Sequence, residues 1–179
     1  LVGSEMCIRD RSIPEETLIK LVDAARLAPS AENIQPCEYI IVNDSQLKEE
    51  VFSCLKWAGY IRPEGNPPER EKPASYIIVL INAVLRKKGG EADAAAGIEN
   101  ILLTAWEEGI GGCWLGSINR KKIKKILRIP HHPFSLASTC SPCKNSSGQK
   151  FSTNLIFQHA ACKCTYILSL CELFSRSLQ

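Results

Sequence analysis

Apolar positions Leu18, Leu21, Val22 and Ala25 recur at i, i+3, i+4 and i+7, which predicts an amphipathic helix over 13–28 with one buried face. Ser12 and Glu15 form a candidate capping box around Pro14, a residue tolerated in a first turn. Pro29 removes a backbone donor and disfavours helical geometry at Ala28, so the helix must stop there. Beyond it the chain is predicted to re-emerge as a buried strand over 37–43, followed by a helix over 45–56 capped by Ser45. The β-branched run ASYIIVLIN over 74–82 reads as a central strand. Between these elements GYIRPEGNPPEREKP contains four prolines and two glycines and is predicted to be an irregular loop, with Trp57 and Tyr60 as candidate stacking groups. Residues 93–108 carry Ile98, Ile101, Leu102 and Ala105 on one helical face, with Gly109 as the C-cap. Ile123, Ile126 and Leu127 share a face in RKKIKKILR, so its lysines are predicted to be a solvated opposite face.

The helix-to-strand corner AARLAPSAENIQPCEYIIV is the first place where chemistry enters. Ser30, Asn33 and Gln35 offer donors and acceptors to a flat, heteroatom-rich ligand, and Ala31 permits close approach. The same polar residues also suit a plain helix end. Further on, IGGCWLGSI has glycines of the kind needed where a backbone passes near a ligand, while Trp114 is expected in the core. Cys113 has no histidine nearby in sequence to activate it and is expected to be a small buried side chain. With 179 residues and 45% hydrophobic content the chain can bury a single core. A net charge of +3 is too small to argue for nucleic acid, and no aromatic residue is interleaved in the basic run to stack a base.

The corner, with its Pro-Ser turn, following asparagine and Gln-Pro, resembles the nitroreductase family of flavoenzymes. A second segment, DAAAGIENILLTAWEEGIGGCWLG over 93–116, is similar to that family's central helix and Gly-x-Gly/Cys-Trp-x-Gly run. The resemblance covers about residues 12–131. It implies an α+β, three-layer α/β/α fold with a mixed, mainly antiparallel sheet, truncated at both ends. It also implies an FMN cofactor, with NAD(P)H as co-substrate, and a cytoplasmic homodimer with the flavin at its interface. On that likeness Pro29, Ser30, Ala31, Asn33, Gln35, Gly111, Gly112 and Cys113 become candidate cofactor-binding residues. A flavin performs the redox chemistry, so no catalytic side chain is nominated. The expected function is hydride passage from NAD(P)H through flavin to a nitroaromatic, quinone or similar small acceptor, with no nucleic-acid or membrane partner. A related flavoenzyme with other chemistry, such as flavin destruction or dehalogenation, is the alternative.

Both ends fall outside the likeness. The first ten residues of LVGSEMCIRDR match the translation of a transposon-type sequencing adapter, so 1–11 are expected to contribute nothing to the fold. Arg9, Arg11 and Ser12 are not assigned the family's phosphate-gripping role. Two or three lost charged contacts at about 1.5–3 kcal/mol each would weaken flavin binding by about 3–9 kcal/mol, so the chain is expected to hold FMN weakly. Residues 132–179 hold five of the nine cysteines and one acidic residue, and are expected to be a frameshifted or chimeric tail that packs poorly. Cys140, Cys143, His159, Cys162 and Cys164 supply enough soft ligands for a zinc-binding alternative, although H-x2-C-x-C is not a common knuckle spacing. The apolar stretch in 155–173 is interrupted by Gln158, His159, Lys163 and Glu172 and falls short of a membrane span.

Overall fold

Every residue of the strand Ser75–Asn82 is buried, as expected of a strand covered on both faces. In this computed structural model, which describes residues 7–8, 12–57, 67–69, 72–129, 151–152 and 162–173, that strand sits inside a six-stranded sheet. The elements run β1 (Cys7–Ile8), α1 (Glu15–Arg26), β2 (Cys37–Val42), α2 (Ser45–Phe52), β3 (Ser75–Asn82), α3 (Gly90–Glu107), β4 (Ile110–Leu115), α4 (Arg120–Ile126), β5 (Phe151–Ser152) and β6 (Cys162–Leu173). Strand order is β1-β6-β3-β2-β5, with β4 also paired to β6. Among the described strands only β2 with β5 is parallel, so the sheet is mixed and mainly antiparallel.

Alternation along β3 sorts the core into two halves. Ile77, Val79 and Ile81 face α1 and α3, joining Leu18, Leu21, Val22, Ala25, Ile98, Ile101 and Ala105. Tyr76, Ile78 and Leu80 face α2 and α4, joining Val51, Ile123 and Leu127. The result is the expected three-layer α+β fold. α1 and α3 run antiparallel, tied by Asn100 Nδ2 donating to Ala24 O at 3.0 Å and by an ion pair between Lys20 and Glu108.

Several local expectations are corrected. Ser12 and Glu15 form no capping box: Pro14 occupies the N-cap position with extended ψ 142, and no side chain caps the helix. Asp44, not Ser45, caps α2, its carboxylate accepting from Leu47 N at 2.9 Å, and α2 ends at Phe52. Gly109 lies one residue beyond the C-cap Glu108, at φ +71. Trp114 is 40% exposed rather than a core residue, and Cys113 is exposed as well.

The largest correction concerns the tail. Cys162–Leu173 forms β6, paired with β3 on one edge and β4 on the other, and Ile167, Leu168 and Leu170 are fully buried. This part of 132–179 therefore does not pack poorly; its apolar run fills the sheet centre. Cys7 and Ile8 pair with Leu173 and Glu172, so 1–11 is not wholly outside the sheet. The zinc-alternative residues Cys140, Cys143 and His159, and Tyr60 of the proline-rich loop, lie outside the described residues. Among the described residues no helix is long and apolar enough to cross a membrane.

Candidate functional site

The corner is made by a short 3-10 turn, Ala31–Asn33, that links the end of α1 to β2. Glu32, Asn33 and Gln35 all adopt left-handed backbone, at φ 56, 53 and 53. Such geometry costs a non-glycine residue roughly 1–2 kcal/mol, less for asparagine, so the surroundings must hold it in place. Ser30 does so from within, its Oγ accepting from Gln35 N at 2.9 Å. Gln35 Nε2 donates to Asn33 Oδ1 at 3.3 Å. Asp93 does so from α3, its Oδ1 accepting from Ala31 N at 3.0 Å. Pro29, Ala31 and Asn33 are exposed, while Ser30 and Gln35 are half-buried.

Behind the corner the chemistry is inert. Burial, then the Asp93 carboxylate, pushes the Cys37 thiol up to about 11. Burial likewise raises the Tyr39 phenol, followed by the influence of Cys37. Cys113 is exposed as a residue, yet packing around its sulfur raises its thiol, the wrong direction for a nucleophile.

The second candidate segment lies on β4. Gly112 has a packing reason to be glycine: a Cβ there would come within 2.5 Å of Leu102 Cδ2 and 3.4 Å of Leu170 Cδ2. Its neighbours Gly111 and Cys113 continue the strand, with Cys113 opposite Ser169.

The structure brings Pro29, Ser30, Ala31, Asn33 and Gln35 together, and separately Gly111, Gly112 and Cys113, but not the two groups with each other. Cys37, which follows the corner, pairs with Ile81, whereas Cys113 lies level with Ser169 and hence with Tyr76. From Tyr76 to Ile81 along β3 is about 17 Å, and three strand spacings add about 14 Å laterally, a separation of roughly 20 Å. Helix α3 points the same way: Asp93 touches the corner whereas Leu102 packs on Gly112, and these two residues are about 14 Å apart along the helix axis at 1.5 Å per residue. The halves sit at opposite ends of the same sheet.

Two residues that sequence reasoning passed over also belong to the corner. Arg86 Nε faces Asp93 Oδ2 at 3.4 Å, and its Nη1 lies 3.9 Å from Glu32 Oε1. The available signal was an acidic residue in the first turn of a helix, where the helix dipole favours it. On the opposite face a hollow lined by Ser12, Lys48, Lys72 and Tyr76 has its lysines engaged: Lys48 donates to Ala74 O at 3.0 Å and Lys72 pairs with Glu49 and Glu69.

The α/β/α layering and the strained corner define a nitroreductase-fold protein, and comparison with known proteins agrees. A profile of the nitroreductase family matches residues 8–139. A protein of Archaeoglobus fulgidus named "Putative NADH dehydrogenase/NAD(P)H nitroreductase" is 34% identical over 142 residues, covering 74% of this chain and 76% of that protein. Among solved structures, a nitroreductase family protein from Clostridium novyi NT superposes with a TM-score of 0.66 at 20% identity, covering 96% of this chain and 81% of the other. A Desulfovibrio desulfuricans nitroreductase solved in complex with FMN gives 0.59 at 17% identity, covering 94% and 81%. The chain belongs to the nitroreductase family, a family of oxidoreductase enzymes.

Proposed function

We propose that this chain acts as an FMN-dependent oxidoreductase, taking a hydride from NADH or NADPH and delivering electrons to a nitroaromatic, quinone or similar small acceptor. The working unit is a homodimer in which the corner of one copy faces β4 of the other. Family membership supports the reaction class. The observation that carries the assembly is the separation of roughly 20 Å between the two halves, set by the register of β2, β3, β6 and β4. One chain cannot close both around a single ring system, whereas two copies can, and two-fold pairing is the commonest way chains associate.

The donor set fits such a ring. A serine hydroxyl, two carboxamides and backbone groups held in left-handed geometry offer neutral donors and acceptors, suited to the alternating carbonyls and N–H of a flavin's pyrimidine edge. When bound, FMN supplies the two-electron chemistry. Ser30, Asn33 and Gln35 would orient its ring edge, Ala31 would allow close approach, and Gly111, Gly112 and Cys113 would present strand backbone from the partner copy. The protein contributes placement and exclusion of side reactions rather than proton transfer.

The test is a visible absorption spectrum of the purified chain after incubation with FMN and gel filtration. A retained flavin band that bleaches anaerobically with NADH or NADPH supports the reading. A chain that retains no flavin at saturating FMN, or whose flavin does not bleach with either nucleotide, refutes it.

A further inference from the structure

The acid that anchors the corner is held from the far side by a residue of another loop. Asp93 is 8% exposed, one of four polar or charged residues buried among those described. Its Oδ1 accepts from Ala31 N, while Oδ2 has no hydrogen-bond partner among the described residues. Arg86, in the loop between β3 and α3, places its buried Nε, also without a hydrogen-bond partner among the described residues, 3.4 Å from that oxygen. A buried carboxylate needs a compensating charge, and this guanidinium is the cation beside it. Arg86 is tied to the sheet by its own N–H, which donates to Asn82 O at 3.0 Å, and Asn82 N donates to Pro36 O at 2.8 Å at the start of β2. The chain of contacts therefore runs from the corner through Asp93 and Arg86 to the end of β3 and back to the exit of the corner.

We propose that Asp93 is the positioning residue of the corner: through the Ala31 amide it fixes the left-handed backbone that presents Ser30, Asn33 and Gln35, and Arg86 fixes Asp93. The ligand consequence rests on the flavin reading above, but the backbone consequence does not. No covalent step is involved, and Asp93 touches no reacting atom.

Two readouts on the full chain separate these consequences. The first is amide hydrogen exchange at Ala31, with Ile98 and Ile101 of α3 as controls. Asp93→Ala removes the acceptor and accelerates exchange at Ala31 about tenfold or more, leaving the controls within about threefold. Asp93→Asn keeps an oxygen acceptor for Ala31 but turns its NH2 toward the Arg86 Nε donor, so it accelerates exchange at Ala31 severalfold less than Asp93→Ala. The second readout is the Kd for FMN, which rises about tenfold or more in Asp93→Ala and severalfold less in Asp93→Asn. If Asp93→Ala fails to fold, Arg86→Gln replaces it and gives a smaller acceleration at Ala31, because the acid is loosened and not removed.

Unchanged exchange at Ala31 in Asp93→Ala overturns the proposal, as does an equal loss in Asp93→Asn or acceleration spread equally over Ile98 and Ile101. Faster exchange at Ala31 with an unchanged FMN Kd overturns the link to the ligand. A wild-type chain that binds no FMN defeats the functional reading, while the exchange comparison still decides the role of Asp93.

Discussion

Replacing Gly97 by alanine isolates the contact that sets the distance between α3 and the strand leaving the corner. A Cβ at Gly97 would lie 2.4 Å from the hydroxyl oxygen of Tyr39, 3.6 Å from its Cζ and 3.5 Å from Ala25 O. The first distance is a clash with the end of a buried ring, and the other two are ordinary contacts. In a helix interior Gly→Ala gains about 1 kcal/mol from backbone propensity, while overpacking a rigid core costs about 1–3 kcal/mol. Gly97→Ala is therefore expected to leave stability unchanged or lower it by up to about 2 kcal/mol. Tyr39→Phe removes the obstructing oxygen and costs about 1 kcal/mol for the lost hydrogen bond between its phenol and the Cys37 thiol. In that background the clash is gone, and Gly97→Ala should stabilise by the full propensity gain of about 1 kcal/mol. The double-mutant cycle thus predicts a coupling of about 1–3 kcal/mol in favour of the pair. Urea unfolding of the four chains, followed by far-UV circular dichroism with a common slope, measures it. A coupling below about 0.5 kcal/mol, with alanine equally favourable in both backgrounds, would show that Tyr39 does not abut α3 at Gly97.

Glu32→Gly is expected to raise stability by about 0.5–1 kcal/mol, because relief of left-handed strain exceeds the entropy of a new glycine. Its exposed ion pair with Arg86 at 3.9 Å offsets little; a loss of stability in chemical denaturation would contradict the strain argument. Leu168→Ala in β6 should cost about 2–5 kcal/mol because Leu168 is fully buried, and an unchanged denaturation midpoint would remove β6 from the core. For Cys37 the folded thiol keeps its proton to about 11 whereas the unfolded one releases it near 9.0, the ordinary thiol value, so the folded state binds more protons between them. Stability is then flat below pH 9 and falls by about 2 kcal/mol between pH 9 and 11; Cys37→Ala should show a shallower decline, and an identical decline would refute the assignment.

The helices and central strands were legible because their apolar spacing matched a single period: α1 and α3 at i, i+3, i+4, and β3 as an unbroken β-branched run. Cap assignments slipped where two suitable residues adjoin, as at Asp44 and Ser45, and where Pro14 displaced the box drawn from Ser12 to Glu15. Trp114 was misplaced because a large aromatic residue suggests a core, whereas the middle of β4 is open and only Ile110 and Leu115 are buried. β6 was missed because the cysteine count of 132–179 outweighed the apolar run YILSLC within it. The candidate residues were found in two groups, but their separation was not readable. It depends on the register β2-β3-β6-β4, which chain order does not reveal. Asp93 was seen as part of a helix start, and its reach back to Ala31 is a contact between residues far apart in sequence.

The most direct test of a site shared between two copies is complementation, read as FMN bound per chain. Ala31→Trp blocks the corner and Cys113→Trp blocks β4, both at exposed positions. Each variant alone should retain almost no flavin. Co-expressed in equal amounts they should recover about a quarter of the wild-type flavin, because half of randomly paired dimers are mixed and each mixed dimer has one intact site of two. No recovery on mixing, or full flavin content in either variant alone, would contradict a site built from the corner of one copy and β4 of the other.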